Sequence, residues 1–297
     1  MSTPTTPVLV PTHPAAAGVD ALKERFADVK SRIARAAKKS GRSGESVVLI
    51  AVTKTAEPDQ IRDLIRLGHA DFGENRVQQL VQRAVLIDEW MGRHKTLPGV
   101  QWQRPMGDAD PFASDSSRGG TGMPTQIRWH MIGHLQRNKA RKAVETCRLI
   151  HSVDSLRLAE ELQLIAGKRD RPVEVLLQVN CSGEEQKYGC APAAAVHLAE
   201  QIETMVHVQL RGVMTMAAHS DKPEETRATF GRCRELFEEV RDSGVVPARF
   251  NILSMGMSGD YEIAIEEGSN MVRVGTALFG PARVGAGLED GDDEDED

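Results

Sequence analysis

The strongest constraint on this chain is a short apolar run followed by a helix-like segment, a unit that recurs from Val48 to Gly280. SVVLIAVTK, ADFGEN, IRWHMIG, RLIHSV, VEVLLQVN, VQLRGVMTM, FNILSMG and NMVRVG read as eight strands. Between them lie EPDQIRDLIRLG, RVQQLVQRAVLIDEW, a basic segment near Asn138–Glu145, SLRLAEELQLIAG, APAAAVHLAEQIETM, the stretch Pro223–Ser243 and YEIAIEEG. A further helix is predicted from Val19 to Lys39, with Leu22, Phe26, Val29 and Ile33 at helical spacing. The strand runs are continuously apolar rather than alternating, as strands covered on both faces must be. Eight such repeats favour a closed (β/α)8 TIM barrel, an α/β fold preceded here by a helix, over an open doubly wound sheet.

Three segments of the 297 residues fall outside the repeat. Residues 1–17 are rich in Pro and Thr without periodicity, and are expected to be a disordered extension. Residues 92–127 carry Pro98, Pro105, Pro111, Pro124 and SSRGGTG, a long insertion between two elements, so the barrel is expected to span 18–283. Residues 284–297 form a glycine-rich, then acidic tail, also expected to be disordered. Its last nine positions hold eight carboxylates, and without them the formal charge moves from -6 to +2. A body so close to neutral offers no general attraction for nucleic acid. No apolar run is long enough for a membrane helix, and the N-terminus lacks a basic stretch followed by an apolar one. Four scattered cysteines make no disulfide framework, and a cytoplasmic location is expected.

No Walker A loop, GxGxxG, HExxH or GxSxG is present. In a TIM barrel the chemistry sits where strands end. Lys54 closes the first strand, where an amine can attack an aldehyde; it can equally snorkel to solvent or pair with Glu74. SMGMSGD after the seventh strand and VGTALFG after the eighth are the places where barrels hold phosphate, through backbone N–H groups approached closely past small residues. Ordinary turn chemistry explains either segment alone. Together, facing a lysine, they suggest an aldehyde that also carries phosphate. Arg273 lies just before the second segment, as a partner for a ring nitrogen or as half of an ion pair with Glu74.

AVTKT, FGENRVQQL, WHMIGHLQRNK, IHSVD, LLQVN, LRGVMTM, LSMGMSGDYEIAI and VRVGTALFG occur in this order between Val19 and Gly280. Together they resemble the YggS/PROSC family of pyridoxal phosphate homeostasis proteins, itself similar to the N-terminal barrel of alanine racemase. The resemblance implies that Lys54 holds pyridoxal 5'-phosphate as a Schiff base and that Arg273 faces the pyridine nitrogen. It implies a phosphate cradle among Ser254, Gly256, Ser258, Gly275 and Thr276, with Asn75 and Asn180 lining the pocket. It further implies a carrier of the cofactor, with pyridoxal phosphate-dependent apo-enzymes as partners. The insertion, the N-terminal extension, the acidic tail and Arg76, where the family commonly has an aromatic, depart from the pattern.

The alternative is a pyridoxal phosphate-dependent amino-acid racemase, which needs proton donors on both faces of the substrate carbon. Alanine racemase takes its second donor, a tyrosine, from another domain of the partner subunit. The chain leaves no room for such a domain after Gly280, which argues for a non-catalytic, monomeric holder; Tyr188 reads as loop filling. A Schiff-base aldolase would also use a lysine and a phosphate site, but Lys54 and Arg273 fit it less well. His130 and His134 lie on a strand and a loop and do not read as a metal pair; Arg137, Lys139, Arg141 and Lys142 read as a solvated basic face.

Overall fold

A computed structural model describes residues 14–94, 122–218, 220 and 222–281. Eight parallel strands close into a barrel in the order of the sequence. They are β1 (Val48–Val52), β2 (Asp71–Glu74), β3 (Arg128–Met131), β4 (Leu149–Val153), β5 (Val173–Gln178), β6 (Val208–Met214), β7 (Ile252–Ser254) and β8 (Met271–Val274). The helices are α1 (Pro14–Lys39), α2 (Pro58–Arg66), α3 (Val77–His94), α4 (Ala140–Thr146), α5 (Leu156–Lys168), α6 (Ala195–Glu203), α7 (Pro223–Asp242), α8 (Tyr261–Glu266) and α9 (Thr276–Phe279). The expected barrel is therefore the architecture observed.

The strands read as unbroken apolar runs because one set of side chains fills the barrel while the other packs under the helices. Val48, Ile50, Leu149, Leu176, Met214, Ile252 and Met271 make the inner cluster. Phe72, Val175, Leu210, Val272 and their neighbours join the helices in the outer one. Helix α2 shows how local sequence supports this layer. Pro58 opens it, Glu57 and Gln60 form a reciprocal capping box, and Ile61, Leu64 and Ile65 bury its inner face.

Helix α1 lies outside the barrel against α8 and α9. Leu22, Phe26, Val29 and Ile33 are buried, as their spacing predicts. Arg25 Nε donates to the Leu278 carbonyl at 2.6 Å, and Arg32 pairs with Glu262 at 2.5 Å. The helix begins at Pro14. Proline at a first helical position followed by three alanines favours this. The remaining extension, most of the insertion and the acidic tail lie outside the described residues. No described helix is long and apolar enough to cross a membrane.

Barrel closure is the feature that builds the site. β1 pairs with β8 in the register Val48↔Met271, Leu49↔Val272, Ile50↔Arg273 and Ala51↔Val274. The two ends of the repeat thus become neighbours, and the turn after β1 stands beside the segment after β8.

Candidate cofactor-binding site

Lys54 is exposed in the turn that follows β1. That turn is tied down from below. Thr53 Oγ1 donates to Glu74 Oε1 at 2.5 Å, Arg83 Nε pairs with the same oxygen at 2.9 Å, and Arg83 Nη1 donates to the Ala56 carbonyl at 2.9 Å. The Ala56 N–H closes the turn onto the Thr53 carbonyl at 2.9 Å. Glu74 is fully buried and its Oε2 has no hydrogen-bond partner. Burial pushes its carboxyl up, against the pull of Arg83 and Thr53. The ion pair of Glu74 is therefore with Arg83, and neither Lys54 nor Arg273 forms one with it among the described residues.

Gly275 packs directly on β1, since a Cβ there would meet the Val52 carbonyl oxygen at 3.3 Å. Its N–H donates to Ser258 Oγ at 3.0 Å, and the Ala277 N–H points at the same hydroxyl at 3.4 Å. Ser258 thereby joins the segments after β7 and β8, and Thr276 is exposed beside it. Gly256, at φ +92°, lets the first segment turn under α8; a Cβ would come within 2.7 Å of both Tyr261 Cα and Ala264 Cβ. Below the mouth lies Arg273, 3% exposed. Its Nη1 donates to Ser254 Oγ at 2.7 Å and its Nη2 to the Thr215 carbonyl at 2.9 Å. Burial pulls the guanidinium down to about 10, still protonated at neutral pH.

Lys54, Gly256, Ser258, Arg273, Gly275 and Thr276 thus gather along the β7–β8–β1 arc, with Asn75 exposed at the end of neighbouring β2. Two expected residues behave differently. Ser254 is fully buried and bridges Arg273 to His151, so its hydroxyl lies beneath the mouth. Asn180 spends its amide on its own loop. It donates to the Glu184 and Lys187 carbonyls and accepts from Ser182 Oγ and the Gly183 N–H.

A family model described as alanine racemase, N-terminal domain, matches residues 19–283. The pyridoxal phosphate homeostasis protein of Pseudomonas aeruginosa is 35% identical over 266 residues, covering 89% of this chain and 97% of that one. The chain belongs to this family. Its Escherichia coli homeostasis protein is 33% identical over 266 residues, covering 87% of this chain and 96% of that one. Among solved structures, PipY of Synechococcus elongatus with pyridoxal phosphate bound superposes with a TM-score of 0.66 at 33% identity, covering 87% of this chain and all of that one (100%). An alanine racemase from Clostridium difficile superposes with a TM-score of 0.59 over 90% of this chain and 57% of that one, but at 15% identity, a likeness of fold alone.

In this pyridoxal phosphate homeostasis family member, a polar line that the strand patterns do not announce runs inside the barrel. His130 and His151 are buried on β3 and β4, joining Ser254 to Asp71 at the N-terminal end of β2. The sequence carries one signal of it, a histidine within each of the runs IRWHMIG and RLIHSV. His134, by contrast, sits at the mouth, stacked on Tyr188 with ring centroids 4.0 Å apart. No cluster of metal ligands occurs among the described residues.

Proposed function

We propose that this chain binds pyridoxal 5'-phosphate at the β7–β8–β1 mouth, as a Schiff base on Lys54, and serves the cofactor's homeostasis in the cytoplasm. The observation that carries the reading is the β1–β8 seam. It sets the Lys54 turn beside two backbone N–H groups gathered on Ser258, with a buried cation one layer below. These residues fit the chemistry of the group. The Lys54 amine would condense with the aldehyde carbon, forming a C=N bond and releasing water. Ser258, Gly275, Thr276 and Ala277 would donate to the phosphate. Arg273 would face the ring nitrogen.

Arg273 also argues for holding rather than turnover. A guanidinium donates hydrogen bonds and accepts none, so it cannot take the ring proton and leaves the pyridine neutral, a weak electron sink. Racemisation further needs a proton donor on each face. Tyr261 is buried beneath Arg32, whose guanidinium carbon lies 5.3 Å from the ring centroid, and Tyr188 is stacked on His134. Free thiols at Cys147, Cys181, Cys190 and Cys233 suit a reducing compartment. The partners in this reading are the free cofactor and apo-enzymes that receive it.

The deciding experiment is near-visible absorption of wild type and Lys54→Ala with added pyridoxal phosphate, then borohydride reduction and peptide mass mapping. A coloured wild type with the reduced adduct on Lys54, absent in Lys54→Ala, is expected. A wild type that stays colourless and unlabelled overturns the reading.

A further inference from the structure

Resting on the reading that Arg273 faces the ring nitrogen, we propose that His151, His130 and Asp71 are positioning residues. Through Ser254 they form a relay of one-way hydrogen bonds along the inside of the barrel, which holds the Arg273 guanidinium in place. The contacts are continuous. Asp71 Oδ1 lies 3.3 Å from His130 Nε2, and His130 Nδ1 lies 3.0 Å from His151 Nε2. His151 Nδ1 lies 3.1 Å from Ser254 Oγ, and Ser254 Oγ lies 2.7 Å from Arg273 Nη1.

Chemistry sets the direction of every link. Asp71 is held as a carboxylate by Arg128, which pairs with both of its oxygens at 2.6 and 2.5 Å, so it can only accept. His130 must therefore carry a proton on Nε2. A neutral His130 then accepts at Nδ1, which requires the proton of His151 to sit on Nε2. His151 in turn accepts at Nδ1 from the Ser254 hydroxyl. That leaves a Ser254 lone pair for Arg273, which can only donate. With neutral rings no other assignment satisfies all four contacts.

The surroundings favour neutral rings. Burial lowers His130, where Asp71 on β2 opposes the effect and Arg128 on β3 and Arg148 before β4 reinforce it. Burial lowers His151 further, reinforced by His130 and by Arg273 on β8. Arg273 is itself faced by Asp260, before α8, and Cys233, on α7. A second proton on either ring would turn the His151–Ser254 link around, with His151 Nδ1 donating to a hydroxyl that also accepts from Arg273, so it is the neutrality of both rings that fixes the one-way pattern. Its upper end delivers one fixed acceptor to Arg273 while the Thr215 carbonyl supplies the other. The guanidinium is thus oriented before any ligand arrives.

The first arm of the test needs no cofactor. Ring 15N NMR of histidine-labelled protein, from about pH 5.5 to 8.5, reads tautomer and charge directly. Both His130 and His151 are expected as neutral Nε2–H rings throughout. An Nδ1–H tautomer, or a titration near the ordinary histidine value, overturns the relay. The second arm measures pyridoxal phosphate affinity and the pH profile of the bound-cofactor absorption in His151→Leu, Ser254→Ala and Ser254→Thr. Loss of the acceptor for Arg273 should weaken affinity about tenfold and displace the pH profile, and the threonine variant should recover most of the loss. A folded His151→Leu with wild-type affinity and pH profile overturns the positioning role. If His151→Leu does not fold, the tautomers and the serine pair decide. A wild type that binds no pyridoxal phosphate but shows the expected tautomers sinks the cofactor reading and leaves the relay standing.

Discussion

Arg273 stands opposite Ile50 across the seam where β8 meets β1. The lysine that follows β1 and the guanidinium on β8 therefore belong to one wall of the barrel, although 219 positions separate them, Lys54 from Arg273. Replacing the fork by a point charge should expose how much depends on its shape. Arg273→Lys keeps a cation but cannot hold Ser254 and the Thr215 carbonyl in the same planar geometry. Pyridoxal phosphate binding, followed by absorbance titration, should weaken by about 1.5–3 kcal/mol, the worth of a hydrogen bond to a charged group. Affinity within twofold of wild type would show that charge alone suffices.

Asp71 anchors the N-terminal end of the barrel. Arg128, paired with both carboxylate oxygens, holds the Asp71 carboxyl well below the usual range against the cost of burial. Its contribution is thus present above the unfolded carboxylate value near about 4 and declines as the pH falls below it. Asp71→Asn leaves a largely buried guanidinium without its counter-charge, and urea denaturation at neutral pH should show a loss of about 3–5 kcal/mol. A loss under about 1 kcal/mol would mean that the pair acts like a surface one.

His69 should add to the loss of stability on acidification, through a base rather than an acid. It packs edge-on against Phe26 and Phe72, and burial lowers its imidazole to about 4. The unfolded chain binds a proton near the ordinary value while the folded one does not, so stability falls as the pH drops from about 6.5 to 4, by about 1.4 kcal/mol per unit. His69→Phe removes that component. Denaturation curves of the variant should show a correspondingly shallower acid slope than wild type; parallel slopes would count against the buried neutral ring.

Gly256 carries the segment between β7 and α8 through a positive φ and against Tyr261 and Ala264. Gly256→Ala meets both a strained backbone and contacts of 2.7 Å, so the segment that ends in Ser258 must shift. Stability should drop by about 1–3 kcal/mol and cofactor affinity should fall with it. Calorimetry and absorbance titration read the two effects separately; an alanine variant that retains both would mean the segment relaxes without moving the site.

Much of this was readable in the residues. Unbroken apolar strands, each followed by an amphipathic helix, call for a parallel sheet covered on both faces, and eight such repeats favour closing it into a barrel. Lys54 and the glycine–serine segments after β7 and β8 could be placed at one end of the barrel because each follows the end of a strand. Asn180 could not be resolved from sequence, since whether an amide faces a pocket or closes its own loop depends on hydrogen bonds formed only after folding. The burial of the Ser254 hydroxyl could not be read from sequence for the same reason. Its place one layer down follows from the inward direction of the last residue of β7.

The order of strands and helices, and with it the closed parallel barrel, is local information: each element announces itself by the spacing of its own apolar residues. The wall shared by Lys54 and Arg273, and the line from Asp71 through His130, His151 and Ser254, are not local. They depend on the register of β1 on β8 and on which side chains turn inward in β2, β3, β4 and β7. Tertiary structure alone decided these, because a side chain's partner inside a barrel is set by closure and shear, quantities that no single strand contains.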